Sequence, residues 1–144
     1  MRAYITAVAL VLIPGAAYAC GTDETEAFSC TTTNGKVAQV CQASDSIRYS
    51  FGRPDAATEM TVRVPNERFV WHSDGGSAMD IIELNFDNSS TRYVVSATRF
   101  WRGDVELDAE IRVEQGKPQL AMLHCDMATV RLDEKAITAA KTPY

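Results

Sequence analysis

From Val105 to Val113 the chain alternates without a break. Val105, Leu107, Ala109, Ile111 and Val113 are apolar, and Glu106, Asp108, Glu110 and Arg112 between them are charged. A helix would spread these residues around its circumference, whereas a strand sends one set to each face. Such a segment needs a core on one side and water on the other, the condition that antiparallel sheets meet. Weaker versions recur along the chain. Ile47, Tyr49 and Phe51 alternate in residues 46–51, Met60, Val62 and Val64 in 58–64, and Phe69 and Trp71 in 68–73. Ile82, Leu84 and Phe86 do so in 79–86, and Tyr93, Val95 and Ala97 in 91–101. Turn formers separate them: Pro54-Asp55, Pro65-Asn66, Asp87-Asn88-Ser89-Ser90 and Gly116-Lys117-Pro118.

Residues 28–33 and 36–42 flank Asn34-Gly35, a tight-hairpin signal. Residues 119–126 read as a further strand with Leu120 and Met122 on the core face and His124 at its end. Residues 132–141 read as a short helix, with Asp133 and Glu134 at the start and Lys141 at the end. The expected fold is therefore all-β: about eight antiparallel strands in a sandwich or a closed barrel, with one short C-terminal helix.

The N-terminus differs from all of this. Arg2 precedes an apolar run over residues 7–13, Pro14-Gly15 interrupts it, and Ala17-Tyr18-Ala19 offers small residues where a signal peptidase reads. Residues 1–19 are thus expected to be a secretory signal, and residues 20–144 a single domain large enough for a core of its own. The run is far shorter than the roughly 20 residues of a membrane span. Cys20 at the cleavage point raises a lipoprotein alternative. Ala17 stands where such signals usually carry Leu, and Tyr18 is bulky, so a soluble periplasmic or secreted protein is the preferred reading.

Cys20, Cys30, Cys41 and Cys125 are an even set in an exported chain, which implies two disulfides with three connectivities open. Their spacing lacks the paired ligands of a zinc site, and no metal or cofactor is expected. A two-residue turn at Asn34-Gly35 would set Cys30 opposite Gln39, with Cys41 one diagonal step away on the same face. A four-residue turn would set Cys30 opposite Cys41, so that pairing stays open.

The net charge of −5, with arginines scattered among acids, argues against a nucleic-acid partner. Catalysis is poorly supplied. His72-Ser73-Asp74 holds the residue types of a triad, but neighbours on an extended chain point in alternate directions. With every cysteine paired there is no thiolate nucleophile, and no catalytic residue is assigned. Met122, His124 and Met127 invite a copper reading, set against the commoner core methionine. The segment Trp71-His72-Ser73-Asp74-Gly75-Gly76-Ser77 reads as a loop mixing an aromatic, an imidazole and small polar groups. Trp71, His72, Ser73, Asp74 and Ser77 are the candidate binding residues, helped by the turn at 87–90.

The order Phe28-Ser29-Cys30, Asn34-Gly35-Lys36, Val40-Cys41, Tyr49-Ser50-Phe51-Gly52 and Leu123-His124-Cys125 resembles a group of small periplasmic β proteins of unassigned role. More loosely, it is similar to the periplasmic and membrane-bound inhibitors of lysozyme. In those, a cysteine of a first-strand aromatic-x-Cys pairs with one on the last strand. Together with closure of the sandwich or barrel, the resemblance favours Cys30 with Cys125, leaving Cys20 with Cys41. The inhibitors' Ser-Gly-x-x-Tyr loop has no counterpart here, so the resemblance assigns no inhibitory residue. It implies an exported, non-catalytic binding module with a protein partner in the envelope, such as lysozyme. The alternatives are an envelope structural or assembly protein without a discrete site, and a copper-binding periplasmic protein. The sequence does not specify an oligomeric state.

Overall fold

The computed structural model describes residues 19–101 and 106–140. Residues 1–18 of the expected signal, residues 102–105 with Val105, and Lys141 with the tail lie outside the described residues. Ten strands form two five-stranded antiparallel sheets. In the first, β1 (Thr25–Thr31), β2 (Val37–Gln42), β3 (Ser46–Gly52) and β4 (Met60–Pro65) follow one another. A turn of 3-10 helix, Asn66–Arg68, then carries the chain across to the second sheet. There β5 (Val70–Gly75), β6 (Met79–Asn88), β7 (Thr91–Phe100), β8 (Glu106–Gln115) and β9 (Gln119–His124) form an uninterrupted meander. The chain returns through Met127–Thr129, and β10 (Arg131–Leu132) pairs with β1. Both sheets keep open edges, so the sandwich expectation holds and the closed barrel does not. Helix α1 (Glu134–Ala140) begins at Asp133, whose carboxylate accepts the Lys135 and Ala136 amides at 2.9 and 3.3 Å, an N-cap.

The alternation expected of β3, β4, β6, β7 and β8 sets the core. Ile47, Tyr49, Val62, Ile82, Leu84, Phe86, Val95, Ala97, Ala109 and Ile111 are all buried in one cluster, which Ile137 of α1 joins. Tyr49 stacks on Phe86 with ring centroids 5.3 Å apart, joining the sheets at their middle. Burying a side chain of this size is worth roughly 2–3 kcal/mol. The same burial pushes the Tyr49 phenol well above its ordinary value.

Three expectations are corrected. The hairpin at Asn34-Gly35 has a three-residue loop. Thr32 takes Gly35 N–H at 2.8 Å and gives its own N–H to Lys36 O at 2.7 Å, with Gly35 at φ 82°. Cys30 therefore pairs with Ala38, in neither of the two expected registers. A shift of one residue reverses faces, so Cys30 looks into the core and Cys41 looks out of it. Second, β9 turns Ala121 and Leu123 inward, while Leu120 and Met122, 56 and 40 % exposed, face solvent. The register shift in this pair falls between Val113 and Glu114, beside Leu120. Third, the segment read as a loop after Ser73 continues β5 to Gly75, leaving only Ser77-Ala78 as its turn.

The disulfides are Cys30–Cys125 and Cys20–Cys41. The first joins the sheets along one side, beside a backbone bridge between Thr32 and Cys125. The second ties the N-terminal segment across the outer face of the first sheet.

Candidate functional site

The two outer faces of the sandwich are unlike. On the first sheet the N-terminal segment lies over the strands, held by Cys20–Cys41 and by Glu24. One Glu24 carboxylate receives Arg48 at 2.5 Å, Arg63 at 3.1 Å and the Gly21 amide at 2.9 Å. Gln39, Cys41, Ser46 and Ser50 on that face are buried as a result. Among the described residues the second sheet carries no such strap, and its outer face meets solvent.

Register assembles that open face. His72 on β5 pairs with Glu83, Glu83 with Ser96, Ser96 with Glu110, and Glu110 with His124. One row thus crosses all five strands with a histidine at each end, about 19 Å apart at the usual spacing of strands. The next row holds Val70, Asn85, Val94, Arg112 and Met122. Arg112 reaches over β7 to Glu83 at 2.6 Å and also meets Glu110 at 3.1 Å and Glu114 at 3.5 Å. Its passage over β7 explains why Val94 and Ser96 are buried on an outward face. Hydrogen bonding to Glu83 first, then to Glu110 and Glu114, raises the Arg112 guanidinium above its already high value.

In all, the strands of this face carry Asp74, Glu83, Asp87, Glu106, Asp108, Glu110 and Glu114 against Arg92 and Arg112. Both arginines are engaged by these same acids, Arg92 through Asp87 at 2.7 Å. The surplus is strongly negative. At one end of the face stand Met79, 42 % exposed, and Phe100, opposite one another, whereas Trp101 follows on the other side of the strand with the Arg99 guanidinium 5.4 Å from its ring. An exposed methionine beside charged side chains is the composition of a contact surface.

The candidate residues from the sequence separate. His72 and Asp74 stand on the open face and Ser77 on the adjoining turn, while Trp71 and Ser73 lie on the inward side of β5. The Asp87 turn lies at the other end of the sheet from Ser77. The row cannot run triad chemistry, because Ser96 is two strands, about 10 Å, from either histidine. Met122 and His124 share the outer face, with His124 Nδ1 4.0 Å from Glu110, and Met127 is exposed beyond them. Among the described residues the close set of three metal-ligand types is Cys20, Glu24 and Cys41, whose two sulfurs are bonded to each other. Met79, Phe100 and the acidic rows were not found from sequence. The charged positions of β8 announced its wet face, but rows across strands exist only once register is known.

Comparison with protein-family models, curated proteins and solved structures finds no match to this chain.

Proposed function

We propose that this is an exported, non-catalytic binding module whose open acidic face engages a basic protein of the envelope, a cell-wall-degrading enzyme of lysozyme type. The observation that carries the reading is the imbalance on the second sheet: seven carboxylates face two guanidinium groups that those carboxylates already hold. A face of one sign steers a partner of the other, and lysozymes are commonly basic. The disulfide-braced sheet keeps the rows in place before contact, which lowers the ordering cost of binding. Met79 and Phe100 supply apolar anchorage at the rim of the charge.

The test is inhibition of purified lysozymes of several types by the oxidised domain, read as the clearing of cell-wall suspensions. Inhibition that fades as salt rises supports the reading. Unchanged clearing at large molar excess and low salt removes it.

A further inference from the structure

Among the described residues strand β5 is an edge with few of the usual protections. Its sequence, Val70-Trp71-His72-Ser73-Asp74-Gly75, contains no proline or lysine, and its pairing with β6 runs without a bulge. From Ser73 onward the strand also overhangs the sandwich, while Trp71 packs against the core. The edge of the first sheet, β4, lies over β6, and Ser73 and Gly75 are exposed although they face inward.

The phase of the ladder decides which backbone groups point away. Gly76 N–H donates to Met79 O at 2.9 Å, continuing the register of the β5–β6 pair. Hydrogen-bonded pairs alternate along an antiparallel ladder, so His72 and Asp74 turn their amides and carbonyls to β6. Ser73 and Gly75 turn theirs outward.

We propose that this edge receives a second copy of itself, β5 against β5, antiparallel about a two-fold axis at Ser73. The two second sheets then run on as one of ten strands. In this register Ser73 faces the second copy's Ser73 as a hydrogen-bonded pair. On the open face His72 meets the second copy's Asp74, and by symmetry Asp74 meets the second copy's His72. On the inward side the large Trp71 falls beside the second copy's Gly75, which has no side chain to obstruct it. Neighbouring registers fit less well. A two-residue slip one way sets Asp74 against Asp74, and the other way sets His72 against His72 and Val70 against Asp74. Odd slips place an inward side chain against an outward one. The strand is its own electrostatic complement in one register, and this commits the edge to a copy of the same chain. The acidic face from Glu83 to Glu114 remains available on both copies.

Sedimentation of the oxidised domain, residues 20–144, between about 1 µM and 1 mM tests this, the range of small interfaces. A monomer–dimer equilibrium is expected. Ser73→Pro removes the central outward N–H and should weaken it at least tenfold without changing the β dichroism. His72→Asp and Asp74→Lys should each weaken it about tenfold, and the double variant H72D/D74K should recover to within about threefold of the original. If the proline variant fails to fold, the charge exchange alone decides. A monomer throughout the range, or a dimer indifferent to the exchange, overturns the proposal.

Discussion

Glu24 Oε2 lies 2.5 Å from Arg48 Nη2, so a residue that precedes the first strand is bound to the third. The hydrogen bond from Arg48 is the largest cause holding the Glu24 carboxyl at about 2, against an ordinary 4.5. A carboxyl whose value falls on folding adds stability that is fully present above its unfolded value. That stability is lost as the pH drops through the folded one. Between pH 5 and pH 2 the protein should therefore lose roughly 1–2 kcal/mol that Glu24→Gln does not lose, after allowance for solvent around the partly exposed Arg63. Urea titrations of both proteins at the two pH values measure the difference.

The disulfides should differ in weight. Cys30–Cys125 spans 95 residues and Cys20–Cys41 spans 21. In the chain-entropy model the longer loop contributes about 4–5 kcal/mol and the shorter about 3. Replacing each pair by serine should lower the urea midpoint more for the long bridge. Equal losses would show that strain or residual structure governs instead.

Cys20 bonded to Cys41 has no thiol left for a lipid. Protein recovered from the native host should give a Cys20–Cys41 peptide on unreduced mapping and lose 2 Da per bridge relative to its reduced form. A diacylglyceryl mass on Cys20 would contradict both the pairing and soluble export.

On the acidic face, Asp108→Lys and Met79→Ala each remove one part of the contact surface described above. Each should weaken inhibition of a basic lysozyme at least tenfold, with the melting temperature shifted by no more than about 2 °C, as for surface substitutions. Asp108→Lys should also flatten the salt dependence, whereas Met79→Ala should leave it alone.

How much of this was legible in the sequence depended on contrast between neighbours. Along residues 106–113 charge and hydrocarbon alternate, so both the strand and its phase could be read. In β9, Leu120, Ala121, Met122 and Leu123 are all apolar. Alternation is absent there, and the core was assigned to the wrong set. The Asn34-Gly35 turn was visible but its length was not. That single residue decided whether Cys30 and Cys41 share a face. Strand β10, two residues long, leaves no periodic signal at all. The acidic face is the least legible feature, because Glu83 and Glu110 become neighbours of Arg112 only through the pairing of three strands.

The bridge between Cys30 and Cys125 has a consequence for how this molecule can be cut. Residues 53–59, between β3 and β4, are all exposed. A protease that opens the chain there divides it into one piece with Cys20, Cys30 and Cys41 and another with Cys125. The Cys30–Cys125 bond spans the cut, so the two halves stay one particle, heavier by a water molecule and still sharing a core. Only a reductant separates them. Damage at the surface and loss of the molecule become two separate events, the second set by the redox state of the surroundings.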